Sequence, residues 1–232
     1  MLQQLLPLFS RCDSILVLDT ETSGLSHTHD EIIEFSAAKI ACVDGRVQVL
    51  AEVDEFIRRE NDRKLAPRIV ELTGITDEML REDGISKGAL CEILAQLLTP
   101  NTMIAAYNAQ FDLLFLYALL AKYGDARLLQ GKPKLDLLTV YRDRRAYPHR
   151  LSNAIEAYCL QDAVQNSHRA IDDVRATVAV MCKLWEEKAD LLRYIDLFGY
   201  SAKYGVSGAR IGSVRYAPQG FDCGCALYEE KL

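Results

Sequence analysis

The segment Ser14–Leu25 constrains the fold of this chain more than any other part of the sequence. It begins with the apolar run Ile15–Leu18, which is too short for a helix and rich in branched side chains, as in a buried strand. Asp19 and Glu21 follow directly. Because side chains alternate along a strand, both carboxylates are predicted to project from the same face, about 6–7 Å apart along the chain. The alternatives are two solvated acids or a site for a hard cation such as Mg²⁺ or Mn²⁺, which prefers oxygen ligands and would relieve the repulsion between them.

The composition is that of a globular chain that can bury a full core. Half of its 232 residues are hydrophobic, 26% are charged, and the net charge is −6. These values exclude an intrinsically disordered chain and a protein with a global basic field for nucleic acid. Nucleic-acid binding through cations and local basic patches remains compatible with them.

Membrane insertion and a disulfide framework are not indicated. The longest apolar block, Phe111 to Ala121, includes Asp112 and is better interpreted as a core helix than as a membrane span. The seven cysteines are odd in number and scattered, without zinc-site spacing. We therefore expect reduced thiols, a cytoplasmic location and no membrane partner.

The pattern along the chain predicts an α/β fold with a mixed sheet. An apolar run from Glu31 to Ala41, the turn Asp44-Gly45 and the alternating run Val47 to Ile57 predict a hairpin. Strand and helix patterns alternate afterwards. The predicted strands are 103–107 and 134–138, and the predicted helices are 67–73, 86–98, 108–123, 136–145, 151–158 and 170–188.

Further candidate site residues lie at the starts of two predicted helices. Asp112 is in the first turn of an apolar helix, where the helix dipole alone would favour an acid. His168 precedes another helix and is either a cap-region residue or a general base, since histidine titrates near neutral pH. Asp172 and Asp173 follow it, and helical spacing alone does not choose between them.

Together these motifs resemble those of a known family. Three motifs occur in order: Asp19-Thr-Glu21, Asn108-x-x-Phe111-Asp112 and His168-x-x-x-x-Asp173. They are similar to the exonuclease motifs of the DEDD superfamily, histidine subtype (DEDDh), which includes the proofreading epsilon subunit of bacterial DNA polymerase III. The resemblance covers about residues 12–190 and favours Asp173 over Asp172.

This resemblance implies a ribonuclease-H-like fold, with a five-stranded mixed sheet flanked by helices, and 3′→5′ exonuclease activity with two divalent cations, Mg²⁺ or Mn²⁺. Matching the motifs residue by residue, Asp19, Glu21 and Asp173 would hold one cation, and Asp19 with Asp112 would hold the second. His168 would be the general base and not a metal ligand. The residues expected to contact the substrate are Thr20, Thr22, Leu25, Asn108 and Phe111, although Asn108 and Phe111 would equally suit turn formation and packing.

The expected substrate is the 3′ end of single-stranded DNA, by similarity to the proofreading branch. The alternatives are an RNA-trimming or oligoribonuclease-like enzyme, and a non-catalytic module of a polymerase or repair assembly. We expect an exonuclease domain at residues 1–190 and a C-terminal extension at 191–232. Tyrosines, glycines and basic residues in 200–221 predict either a glycine-punctuated hairpin or loose tail against the domain, which we favour, or an arm that contacts nucleic acid.

Overall fold

The structure is a computed structural model that describes residues 1–61, 63–164 and 169–229. Its centre is a five-stranded mixed sheet in the order β3-β2-β1-β4-β5. The strands β1, β2 and β3 are antiparallel neighbours, whereas β4 and β5 run parallel to β1. This topology confirms the predicted fold class. The strands are β1 Ser14–Thr22, β2 Ile32–Val43, β3 Arg46–Phe56, β4 Thr102–Ala106 and β5 Lys134–Asp136.

The predicted hairpin between β2 and β3 is confirmed. Asp44 and Gly45 both have positive φ, 50° and 76°. Two successive residues with positive φ give the tight turn whose twist matches that of the flanking strands, and aspartate followed by glycine favours it. The turn therefore sets the register in which Val43 lies opposite Arg46.

Seven α-helices accompany the sheet in the described ranges: α1 Pro67–Thr73, α2 Asp77–Glu82, α3 Lys87–Leu97, α4 Ala109–Tyr123, α5 Leu137–Arg144, α6 Leu151–Ala157 and α7 Ala170–Glu187. The sequence patterns predicted six of them and missed α2. The signal for α2 was present, because the Thr76 hydroxyl caps the helix by accepting from Met79 N at 3.3 Å, and Asp77 and Glu78 occupy the first turn.

The alternation of side chains along β1 divides the core between two faces of the sheet. Ile15 and Val17 pack with Val174 and other residues of α7. Leu16 and Leu18 pack on the opposite face with residues of α3 and α4. Successive side chains of β1 point to opposite faces, and helices cover both of them. The carboxyl end of β1 therefore lies between the two helical layers.

The C-terminal extension is attached to this core. Its strands, β6 Leu197–Ser201 and β7 Arg215–Gln219, form a separate two-stranded sheet. Gly199 N donates to Thr139 Oγ1 at 3.0 Å, and Gln219 Nε2 donates to Thr139 O at 2.6 Å. Leu197 and Ala217 are buried in the same cluster as Ile15. The extension packs on the domain as expected, and the division at residue 190 stays a prediction.

The expectation of a hairpin in this extension was wrong, since β6 and β7 pair in parallel. Parallel neighbours need a connection of about a dozen residues or more to bring the chain back. Residues 202–214 provide it. Within the parts of the chain that the structure describes, no helix has both the length and the apolar character needed to cross a membrane.

Candidate metal centre

Three carboxylates meet at the carboxyl end of β1. Asp19 and Glu21 belong to that strand, and Asp173 lies in the first turn of α7. One oxygen from each of these side chains lies within 4.8 Å of the others. Asp173 is 9% exposed, so the group is largely withdrawn from solvent on the α7 side. A group of three carboxylate oxygens this compact can hold a hard divalent cation.

Asp112 approaches the same strand end from the opposite face of the sheet. It is 3% exposed, and its Oδ1 accepts hydrogen bonds from Thr20 N at 2.9 Å and Thr20 Oγ1 at 2.7 Å. Its charge contributes to raising the pKa of Asp19. Two hydrogen bonds to one carboxylate oxygen fix the first turn of α4 against β1.

The electrostatics of the group favour a cation. Burial, followed by the charges of Asp112 and Asp173, raises the pKa of Asp19 well above its usual range. Burial and the Asp173 charge raise the pKa of Glu21 to about 8, and burial raises that of Asp112 to about 7. Like charges in a desolvated site resist ionisation unless positive charge compensates them. The donor set therefore fits divalent cations.

Sequence reasoning missed the residues that hold α7 in place. Glu34 on β2 is fully buried; its Oε1 accepts from Arg169 Nε at 2.9 Å and from a second guanidinium nitrogen at 2.7 Å. Its Oε2 accepts from Ala170 N at 3.0 Å, at the start of α7. Glu34 lies opposite Glu21 in the sheet. The ion pair therefore positions Asp173 beside β1.

A signal for Glu34 was present in the sequence. It stands within the apolar run Ile32-Ile33-Glu34-Phe35, where a strand is buried on both faces. A charged side chain is almost never fully buried unless it is paired. The pattern therefore requires a partner for Glu34, but it does not say that the partner is Arg169.

Asp136 has the corresponding role for α4 and was also missed. Its Oδ1 accepts from Asn108 N and Ala109 N, each at 3.0 Å, and its Oδ2 accepts from Thr139 N at 3.1 Å. Asn108 has a positive φ of 74°, in the left-handed region that asparagine tolerates better than most residues. Asp136 therefore joins the starts of α4 and α5 and sets the position of Asp112.

The structure brings together the predicted ligands Asp19, Glu21 and Asp173, with Asp112 linked to them through Thr20. Asp172 is not in the group of three; one of its carboxylate oxygens lies 4.0 Å from Arg175. Helical spacing alone did not distinguish Asp172 from Asp173, and in the structure Asp173 is the one that lies at the cluster. His168, the predicted general base, lies outside the described residues, next to Arg169 in the chain.

The predicted substrate contacts form two groups, one in β1 and one at a cavity. Thr20 and Thr22 are buried in β1, and the Thr22 hydroxyl donates to Gly24 O at 2.6 Å, so that it also stabilises the turn. Leu25 is 88% exposed. It lines a cavity together with Asn108 and Phe111. Their roles toward substrate remain predictions.

Comparison with known proteins identifies a family for this chain. The family model described as Exonuclease (RNase_T) matches residues 16–181. DNA polymerase III PolC-type of Latilactobacillus sakei is 32% identical over 197 residues, and that of Thermotoga petrophila is 35% identical over 176 residues. These matches cover 82% and 75% of this chain but only 12% of each relative, so the chain spans about an eighth of their length.

The fold is also found in a solved structure. The crystal structure of E. coli Exonuclease I in complex with a dT13 oligonucleotide matches with a TM-score of 0.68 and 24% identity. The match covers 78% of this chain and 43% of that chain. At this identity the likeness establishes the ribonuclease-H-like architecture. The family model covers more than half of the sequence, and from it we conclude that the chain belongs to the exonuclease family of the DEDD superfamily, whose members use divalent metals.

Proposed function

We propose that this chain is a 3′→5′ exonuclease that uses two divalent cations, Mg²⁺ or Mn²⁺, and releases nucleoside monophosphates from the 3′ ends of single-stranded DNA. The observation that carries the proposal is the cluster of Asp19, Glu21 and Asp173, with Asp112 joined to it through Thr20. Membership of the exonuclease family supports the reaction class.

Each carboxylate has a distinct role in this proposal. Asp19, Glu21 and Asp173 would hold one cation, and Asp19 with Asp112 would hold the second. Bound divalent cations supply Lewis-acid stabilisation of the charge that develops on the phosphate and on the leaving oxygen. Thr20 keeps Asp112 oriented through two hydrogen bonds. Glu34 and Arg169 keep Asp173 close to β1.

The reaction is the hydrolysis of the last phosphodiester. Water forms a new bond to phosphorus, and the bond between phosphorus and the 3′ oxygen of the shortened strand breaks. His168 would accept the proton of the attacking water at a ring nitrogen. The phosphate remains bonded to the 5′ oxygen of the released nucleotide, and the 3′ oxygen of the remaining strand takes up a proton.

A single strand suits the surroundings of the cluster. Leu25 and Phe111 offer apolar surface against which an unpaired base of the strand can pack, and Asn108 offers an amide beside them. The dT13 complex of E. coli Exonuclease I supports a DNA substrate. The PolC-type relatives support a place beside a DNA polymerase or in a repair assembly.

The experiment that tests the proposal is a digestion of matched DNA and RNA single strands labelled at the 5′ end, with Mg²⁺, with Mn²⁺ and with chelator. We expect a ladder that shortens from the 3′ end, requires the cation and forms faster on DNA. A strand with a blocked 3′ end should resist digestion. Faster digestion of RNA would favour the RNA-trimming alternative, and no ladder under any condition would favour a non-catalytic module.

The role of His168 can be separated from that of the ligands. His168→Ala should lower the turnover number far more than the affinity for the cation, because the side chain is proposed to accept a proton and not to bind metal. Titrating the cation into the variant and measuring both quantities provides the test. An equal loss of cation affinity would contradict the assignment of His168 as base.

A further inference from the structure

A cavity of about 280 Å³ lies between the first turns of α4 and the C-terminal extension. Its wall on the α4 side includes Phe111, its wall on the α5 side includes Arg142, and the extension contributes Tyr200, Tyr204 and Tyr216. This volume is close to the lower end, about 300 Å³, of pockets that hold small organic ligands. It suits one nucleotide and not a duplex.

Specific contacts build this cavity. The Gln110 side chain on α4 donates to Ser207 O and accepts from the Tyr216 hydroxyl. Ile211 N donates to the same hydroxyl at 2.9 Å. Gly208 has a φ of +78°, and a Cβ at this position would lie 3.2 Å from Leu114 Cδ1. The loop therefore approaches α4 closely at a residue without a side chain, which keeps one wall of the cavity in place.

The charge of this region differs from that of the whole chain. Residues 197–221 contain no aspartate or glutamate, whereas the chain carries a net charge of −6. Lys203 Nζ lies 5.1 Å from the centre of the Tyr204 ring. Arg210 lies over Tyr216 at 5.3 Å, and Arg142 lines the cavity. Tyrosine rings beside cationic side chains are the combination that binds single-stranded nucleic acid, by stacking on bases and attraction to phosphates.

The cavity lies in line with the carboxylate cluster. Asp19 and Glu21 are at the carboxyl end of β1, whereas the cavity includes Asn108, two residues after β4, and Asp136, at the end of β5. The three strands are parallel neighbours in the order β1-β4-β5. Two spacings between strands correspond to about 10 Å. A strand whose last phosphate lies at the cluster can therefore reach the cavity with an adjacent nucleotide.

We propose that this cavity is a second nucleotide-binding subsite, which holds a nucleotide of the single strand upstream of the one being released. The base stacks on Tyr204 or Tyr200, and the phosphate is attracted by Arg142 and Lys203. The subsite rests on the proposed exonuclease function for its substrate. It gives the C-terminal extension a role in the affinity for long strands and none in the chemical step.

The test compares two exposed tyrosines in the full-length chain. Tyr204, in the cavity wall, is 79% exposed, and Tyr147, outside it, is 86% exposed. Tyr204→Ala should weaken the binding of a fluorescent fifteen-nucleotide oligothymidylate about tenfold, measured by anisotropy with and without cation. Tyr204→Phe should restore binding, because it keeps the stacking ring, and Tyr147→Ala should bind as the unchanged protein does. Arg142→Gln should weaken binding and reduce its dependence on salt.

A second measurement separates the subsite from the catalytic site. The nitrophenyl ester of thymidine monophosphate contains one nucleotide and cannot occupy the cavity and the cluster together. Tyr204→Ala should therefore raise the KM for the long strand about tenfold and change hydrolysis of the ester less than twofold. Unchanged binding of the long strand, or an equal loss on the ester, would overturn the subsite.

Failure of the proposed function has a different signature. If the unchanged protein binds the oligonucleotide but cleaves neither substrate, the exonuclease proposal fails, and the effect of Tyr204→Ala on binding still decides the subsite. If Tyr204→Ala binds the oligonucleotide as tightly as the unchanged protein, the cavity does not serve nucleic acid. That result would overturn the proposal and leave a protein partner as the alternative occupant of this surface.

Discussion

The carboxylate cluster and the cavity beside the C-terminal extension lie along the same edge of the sheet, but they are built in opposite ways. The cluster gathers Asp19, Glu21 and Asp173 on a buried strand and a helix that packs on it. The cavity is lined by an exposed, acid-free loop with Tyr204 at its surface. The first arrangement concentrates charge of one sign on partly buried side chains, and the second leaves opposite charge in solvent.

This difference separates affinity for cations from affinity for the strand. Ionised carboxylates in a desolvated site are destabilising until a cation binds, so the cluster should dominate catalysis and pH dependence. At the surface, salt screens the attraction between cationic side chains and phosphates. Each aromatic side chain contributes only a modest stacking energy with one base. Substitutions at the cluster should therefore have large effects, and substitutions near the loop small ones.

The largest effect is expected for Asp19→Asn, which removes a ligand proposed to be shared by both cations. Activity should fall by about a thousandfold or more, since the stabilisation that such cations supply amounts to several kcal/mol. In chelator the variant should melt at a higher temperature than the unchanged protein, by about 2–4 °C for each kcal/mol of repulsion removed. Asp83→Asn, at an exposed site, is the matched control. Normal turnover in the Asp19→Asn variant would show that Asp19 is not a ligand that the reaction requires.

The next effect concerns the position of α7, which two arginine–glutamate pairs join to the sheet. Glu34 is 1% exposed in its pair with Arg169, whereas Glu52 is 39% exposed in its pair with Arg175. Glu34→Gln should reduce activity about 10- to 100-fold, because Asp173 loses its support. It should also lower the free energy of unfolding by about 1.5–3 kcal/mol, the value of a hydrogen bond to a charged group.

Glu52→Gln is the matched control for that variant, because exposed ion pairs contribute about 0–1 kcal/mol. Kinetics and chemical denaturation of both variants measure the contrast. If the two substitutions had equal effects, the buried pair of Glu34 and Arg169 would not be what positions Asp173.

A smaller effect is expected from pH in the absence of cations. The pKa values of Glu21 and Asp112 are raised to about 8 and about 7, so the folded chain retains protons that the unfolded chain has already lost. The contribution of these two groups to stability is therefore fully present below the unfolded pKa values near 4 and is lost as the pH rises toward about 8. Added Mg²⁺ or Mn²⁺ should raise the melting temperature more at pH 9 than at pH 5. Asp19→Asn should reduce the slope in chelator, and equal slopes for the two proteins would contradict this account.

The smallest effect belongs to the loop that bounds the cavity. Gly208→Ala places a side chain at a φ of +78° and should destabilise the protein by about 1–2 kcal/mol. The added methyl group must also displace Leu114 Cδ1, 3.2 Å from the ideal Cβ position. Gly212→Ala is the control, because nothing lies within 4 Å of its Cβ position. Melting temperatures of both variants provide the measurement, and equal values would show that the loop is not tightly seated on α4.

The local pattern of the sequence was sufficient for most elements. The apolar run before Asp19 predicted β1, Asp44-Gly45 predicted the hairpin turn, and the apolar helix after Asn108 predicted α4. Each of these signals depends on residues within one or two turns of one another, which a linear pattern records directly. The short helix α2 was missed although its cap was readable at Thr76.

The sequence by itself determined that acids lie at the carboxyl end of β1 and at the start of α4, and the family motifs identified them as candidate ligands. Only the tertiary structure placed Asp173 against Asp19, paired Glu34 with Arg169 across 135 residues, and joined β6 to β7 in parallel. The physical reason is that local spacing sets which face of an element a side chain occupies. Which distant element covers that face depends on how the chain returns to the sheet, and on the burial that makes an unpaired Glu34 unfavourable.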